Sequence, residues 1–226
     1  MVISVITFPT VFIYSYCQLI IPEFSTYFAQ KNYKAINFVS TRIFKILCAF
    51  SFCICSIFWI FSNELGLVIY NNVQIGFYFK IIAPLIIFLY IDHIIDCILK
   101  GLNKQIGVMI CNIIDLSITI IFMYFLLPIY GIKGYIFSIY FSELLNFSIS
   151  LIQMIKYSKI KINIYDWLVI PLSCCFISYI FISICHFNLI NLITSLILNI
   201  GIFILIYTLC FGICNYFSKK TKVYKL

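Results

Sequence analysis

The stretch Tyr78–Asp115, YFKIIAPLIIFLYIDHIIDCILKGLNKQIGVMICNIID, decides how the chain is read. It places Asp92, Asp96 and Asp115, three of the seven acidic residues, in sequence apolar enough for a bilayer. A carboxylate at the centre of hydrocarbon costs about 2.5–3.5 kcal/mol on the lower scales. Such residues therefore face a bundle interior, a wet cavity or a partner.

The flanking sequence has the same character. Hydrophobic residues make up 64% of the chain and charged residues 10%, with a mean hydropathy of +1.13. Soluble domains carry roughly 25% charged residues, so a soluble globular domain is excluded. The apolar runs do not alternate and are about 20 residues long, which predicts spanning helices and not barrel strands. Seven runs are expected to span, over 2–22, 43–62, 78–99, 106–128, 135–156, 167–187 and 189–213. No basic n-region precedes the first charge, Glu23, so no cleavable signal peptide is expected. Ile, Phe, Tyr, Asn and Lys are residues of AT-rich codons, consistent with a low-GC bacterial source.

The cations are distributed unevenly between the connections. Lys31, Lys34, Arg42 and Lys45 follow the first run, Lys100 and Lys104 the third, and Lys156, Lys159 and Lys161 the fifth. Lys219, Lys220, Lys222 and Lys225 close the chain, and of the fifteen Lys and Arg only Lys80 and Lys133 fall on the opposite side. The positive-inside rule then sets the N-terminus outside and the tail in the cytoplasm. Residues 23–42 read as an amphipathic helix on the cytoplasmic surface, and 64–70 as a segment too short to span. The basic tail meets anionic lipid headgroups. Nucleic acid is not an expected partner, because the positive charge is spread over all the cytoplasmic connections.

Polar residues recur at helical spacing. Ser138, Ser142, Asn146 and Ser150 stand at i, i+4 intervals with Glu143 beside them, and Ser4, Thr7, Ser15 and Gln18 mark the first run. Residues three and four apart share a helix face. Such a row either packs helices together or lines a watery path, and the sequence leaves both readings open. Asp96 precedes Lys100 by four, the favourable order for a helical ion pair. Asp92 lies deeper, about 12 Å from the cytoplasmic end at 1.5 Å per residue. An antiparallel return through Gly101–Gln105 brings Asp92 level with Asn112–Asp115. Asp92 and Asp115 then form either a titrating pair or a hydrogen-bonded lock between helices. His93 points about 100° away from Asp92. The eleven cysteines sit mostly in apolar runs without paired spacing and read as small apolar residues. No metal site and no cofactor is expected.

Several of these residues carry a family resemblance. Phe8-Pro-Thr with Gln18-Leu-Ile-Ile-Pro-Glu-Phe-Ser25 resembles the second-lobe opening of the stage V sporulation protein B family. So does Ile82-Ala-Pro-Leu-Ile-Ile-Phe-Leu-Tyr-Ile-Asp92, continued by Ile95-Asp-Cys-Ile-Leu-Lys-Gly-Leu-Asn-Lys-Gln105. Asn112-Ile-Ile-Asp115, Leu127-Pro-Ile-Tyr-Gly-Ile-Lys-Gly-Tyr135 and Glu143-Leu-Leu-Asn-Phe-Ser148 are similar to its following helices. This is a branch of the multidrug, oligosaccharidyl-lipid and polysaccharide exporter superfamily, and the likeness covers roughly residues 5 to 160.

The resemblance implies helices eight to fourteen of a fourteen-helix, two-lobe exporter. Residues 1–160 would be second-lobe helices, and 161–226 two terminal helices with the basic tail. It also implies a flippase for lipid-linked oligosaccharide, linked to spore cortex or wall synthesis in the bacterial cytoplasmic or forespore membrane. The chain would then be a fragment, the product of a split gene, or a half that pairs with a separately encoded first lobe. Asp92, Asp115, Asn112, Gln18, Glu143 and Asn146 would line the substrate or ion path, with Asp96 and Lys100 a structural pair. A non-transporting membrane remnant, or an assembly partner of wall enzymes, is the alternative. No motif of an intramembrane enzyme is present: there is no H-E-x-x-H and no Gly-x-Ser-x-Gly. The charge asymmetry predicts that a fluorescent protein fused after Leu226 will fluoresce, and that a periplasmic phosphatase fused there will be inactive. The reverse pattern inverts the topology.

Overall fold

The computed structural model describes residues 2–158, 165–184 and 192–223, and every regular element in them is helical. Lys159, Lys161, His186 and Lys225 lie outside those residues, as do the side chains of Lys219, Lys220 and Lys222. Five helices are long and apolar enough to cross a membrane, or six if one broken pair counts as a span. That is the make-up of a multi-pass membrane protein. The contacts divide the chain into two compact units.

The first unit comprises Met1–Ile6, Cys48–Pro84 and Asn163–Leu226. It holds α1 (Val2–Thr7), the second half of α3 (Tyr33–Ile60), α4 (Ser62–Tyr70), α5 (Val73–Ile82), α9 (Ile170–Ile184) and α10 (Leu192–Val223). A single π-helical turn, Tyr165–Val169, leads into α9. The nine-residue α4 and ten-residue α5 fold back on each other through Asn71, which takes a left-handed conformation (φ 52°). Asn tolerates that region, and the next residue, Asn72, caps α5 by accepting from the Gln74 N–H at 2.8 Å. The hairpin closes glycine against glycine: a Cβ on Gly66 would stand 2.6 Å from the Gly76 nitrogen. Around it, Phe58 stacks on Phe79 at 5.7 Å between centroids, and the Tyr207 hydroxyl donates to the Ala49 carbonyl at 2.8 Å.

The second unit comprises Thr7–Leu47 and Leu85–Ile162. It holds α2 (Thr10–Ala29), the first half of α3, α6 (Leu85–Gly101), α7 (Gln105–Tyr130) and α8 (Ile132–Ser158). Its centre is α6, packed against α2, α7 and α8 and buried over most of its circumference. A helix apolar all round belongs inside a bundle, and here the strongly polar exceptions are Asp92, His93 and Asp96, with Lys100 exposed in the last turn. From α2 come Thr10, Ile13, Cys17, Ile20 and Phe24, a seam at steps of three and four. Phe24 lies so close to α6 that a Cβ on Gly101 would sit 2.5 Å from its own. Along α8, Gly134, Ser138, Ser142, Asn146, Ser150, Met154 and Ser158, every fourth residue, form one buried face against α6 and α7.

Three expectations change. The first run, 2–22, divides at Phe8–Pro9 into α1 and α2, and neither is among the helices fit to span. Tyr14, Ser15, Tyr16, Gln18, Pro22 and Glu23 dilute the hydropathy of α2. The separate surface helix over 23–42 is absent. The chain turns at Gln30–Asn32, with Lys31 at φ 54°, and α3 then runs unbroken from Tyr33 to Ile60. Its basic half lacks Gly and Pro and buries Ile36, Ser40, Ile43, Phe44 and Leu47 along one stripe, so nothing interrupts it. The third run breaks at Ala83–Pro84, where proline has no N–H for the helical ladder. Gly66→Ala is expected to cost about 1–3 kcal/mol through overpacking in the hairpin. Gly201→Ala, with nothing within 4 Å of the new methyl group, should be neutral or slightly stabilising. Thermal unfolding in detergent compares them, and equal melting temperatures would refute the glycine contact.

Candidate functional site

Asp92 and Asp96 stand one turn apart on α6, 4% and 6% exposed. The four-residue spacing puts them on one face, and each meets an amide from a different neighbouring helix. Asn146 of α8 donates from Nδ2 to Asp92 Oδ2 at 2.9 Å. Asn112 of α7 donates from Nδ2 to Asp96 Oδ2 at 3.2 Å. The Ser150 hydroxyl, one turn along α8 from Asn146, also lies beside the Asp92 carboxyl, and Ser142 lies beside Asp115. Glu143, half-buried on α8, is within electrostatic reach of Asp92, Asp115 and Asp96. Four carboxyl groups thus share one polar seam between α6, α7 and α8.

The seam is only partly satisfied. Oδ1 of Asp92, of Asp96 and of Asp115, and Oδ1 of Asn146, are buried without a hydrogen-bond partner. In a low-dielectric interior an unpaired polar oxygen costs about 1–3 kcal/mol, and more when it carries charge. Native interiors leave few such groups, so several together mark a place where stability has been given up. One turn toward the end of the bundle, Gln153 of α8 donates to the Cys111 sulfur of α7 at 3.1 Å, and its own Oε1 is again unpartnered.

The partners differ from those expected. Asp96 is held by Asn112, and Lys100, its expected ion-pair partner, is exposed one turn further on. Asn112 meets the seam at Asp96, one turn from Asp92, and Asp92 is within electrostatic reach of both Asp96 and Asp115. The inter-helix hydrogen bond to Asp92 comes from α8, whereas Asp115 lies beside Ser142. Gln18 is exposed on α2 and stands apart from these hydrogen bonds. His93 faces α2, where its ring nitrogens lie 3.2 and 3.3 Å from the Tyr14 hydroxyl and the two rings are 4.7 Å apart. Ser142 and Ser150 belong to the site although the sequence marks them only as members of a stripe. Their spacing from Asn146 was the available signal. Among the described residues no three His, Cys, Asp or Glu side chains are grouped to hold a metal ion, and the ten cysteines there are free.

No protein-family model, no curated protein and no solved structure matches the chain. The geometry predicts that Asn146→Leu destabilises the protein by about 1–3 kcal/mol, because it removes the hydrogen bond that crosses to Asp92 and leaves that carboxyl buried. Asn112→Leu, acting on a longer and less buried bond, should cost less. Denaturation in mixed micelles ranks the two, and the opposite order would displace Asp92–Asn146 from the centre of the seam.

Proposed function

We propose that the chain is a transport unit of the bacterial cytoplasmic membrane, in which the α6–α7–α8 seam moves a proton or cation in step with a polar, lipid-linked solute. One observation carries this reading: carboxyl groups in a membrane bundle are held by neutral amides and retain buried oxygens with no partner. A purely structural lock needs one carboxyl and one donor. Four carboxyl groups within reach of one another, with no cation among their hydrogen-bond partners in the described residues, instead form a seam that takes up positive charge from outside. Asn112 and Asn146 hold the carboxylates at fixed positions, and Ser142 and Ser150 supply hydroxyls beside them.

The finer reading is a lipid-linked oligosaccharide flippase of the exporter superfamily, in the form of its second lobe with seven spans and an external N-terminus. The quoted motifs support it, since those covering Ile82–Gln105 and Asn112–Asp115 fall on the two helices that carry Asp92, Asp96, Asn112 and Asp115. Alternating access needs two bundles moving against one another, so on this reading a first lobe completes the transporter. The sugar-bearing head would pass along the polar face while the polyprenyl tail stays in lipid.

The double variant Asp92→Asn/Asp96→Asn tests the assignment. Together with its first-lobe partner in proteoliposomes, it should lose at least ten-fold in translocation of a fluorescent polyprenyl-diphosphate oligosaccharide. It should also melt no lower than the parent, because two buried charges are replaced by isosteric amides. Undiminished translocation removes the carboxylates from the mechanism.

A further inference from the structure

At one end of the second unit the chain turns from α6 to α7 within Leu102–Lys104. Asn103 adopts φ 59°, the Asn103 N–H bonds to the Lys100 carbonyl at 3.1 Å, and the Lys104 N–H reaches back to the Leu99 carbonyl at 2.9 Å. This closure holds the last carbonyls of α6, and buried Leu102, 1% exposed, anchors it. The turn therefore sets Lys104 rigidly at the start of α7. Its ammonium lies 4.6 Å from the ring centroid of Tyr157, in the last turn of α8. The neighbouring Lys156 brings a second ammonium to 5.7 Å from the same centroid. Two like charges converge on one aromatic ring, and neither has an ion-pair or hydrogen-bonding carboxylate among the described residues.

Repulsion between the two ammoniums opposes this arrangement, and the ring face offsets only part of it. The local backbone adds positive potential. No side chain caps α7 and its first turn carries no acid, so the opening N–H groups of a 26-residue helix point the same way as the lysines. Lys100, exposed one turn before the bend, raises the potential further. Tyr157 is half-buried, with an apolar ring and a polar tip, as aromatic residues are at the boundary between acyl chains and headgroups.

We infer that Lys104, Lys156 and Tyr157 form a binding site for the phosphate of an anionic phospholipid, of the phosphatidylglycerol or cardiolipin class. The phosphodiester sits between the two ammoniums at the α7 N-terminus, and its acyl chains run along the exposed apolar face of α7, which includes Ile106, Met109, Ile110 and Ile113. A phosphate group satisfies both lysines at once. The lipid anchors also explain why the occupant is a phospholipid and not free phosphate: the adjoining surface is apolar over several turns. The site is separate from the carboxyl seam and does not depend on the transport reading.

Native mass spectrometry of the full chain released from neutral detergent, after reconstitution with phosphatidylglycerol, cardiolipin or phosphatidylcholine, provides the test. The parent should keep anionic lipid adducts and shed phosphatidylcholine. Lys104→Gln/Lys156→Gln should lower retained anionic lipid at least five-fold, whereas Lys104→Arg/Lys156→Arg should retain it, and Lys133→Gln, at the opposite end of α7, should leave it unchanged. Circular dichroism confirms that each variant is folded, and the arginine pair reports on the charge even if the glutamine pair unfolds. Equal retention in the glutamine pair, loss in the arginine pair, equal retention of phosphatidylcholine, or displacement of the lipid by millimolar inorganic phosphate would each overturn the assignment.

Discussion

The hydrogen bond from Asn146 to Asp92 is the contact on which the second unit depends. It joins α8 to the central helix α6, and it does so through a carboxyl group that hydrocarbon would otherwise exclude. Between membrane helices the hydrophobic effect supplies little attraction, because lipid tails are as apolar as leucine. Association then rests on close packing and on polar bonds that find no better partner in lipid. The α8 seam uses both devices. Gly134, Ser138, Ser142 and Ser150 keep the face narrow, and Asn146 within it supplies the amide. The Ser138 hydroxyl returns its proton to the Gly134 carbonyl at 2.8 Å, so the small residues cause no polar deficit of their own.

The same seam holds more carboxyl groups than packing requires. A face of small residues is sufficient to bring α6 and α8 together, and a single Asp–Asn bond is sufficient to fix their register. The second aspartate, the third carboxyl on α7 and the half-buried Glu143 exceed that need. Oxygens left without partners lower stability, and natural proteins keep such features mainly where function requires them. Several serines elsewhere in the unit satisfy their own hydroxyls, whereas Ser40 Oγ on α3 is buried without a partner. Ser117, Ser148 and Ser158 all turn their hydroxyls onto carbonyls one helical turn back.

The first unit follows a different logic. Its short hairpin α4–α5 contains no carboxylate seam and relies on backbone approach at Gly66 and Gly76, while aromatic side chains fill the surrounding space. Cysteines serve there as small apolar residues. Cys48, Cys53 and Cys174 are buried and free, and the Cys175 thiol donates to the Phe52 carbonyl at 3.6 Å. The ten cysteines among the described residues are free, and most of them are buried.

The sequence by itself determined the helical class, the membrane as solvent, and the grouping of the polar residues of α8 on one face. Each of these follows from composition or from a period of 3.6 residues, which local chemistry imposes on any helix. It also singled out Asp92, Asp96 and Asp115, since charge in an apolar run stands out wherever the helices lie. Tertiary structure alone decided which partner each acid receives. Asp96 accepts from Asn112 and Asp92 from Asn146, and those choices depend on the rotation of α7 and α8 about their axes relative to α6. A rotation of 100° per residue separates adjacent positions on a helix, and spacing along one chain carries no record of the phase of another. The interruptions at Pro9 and Pro84 were visible as prolines.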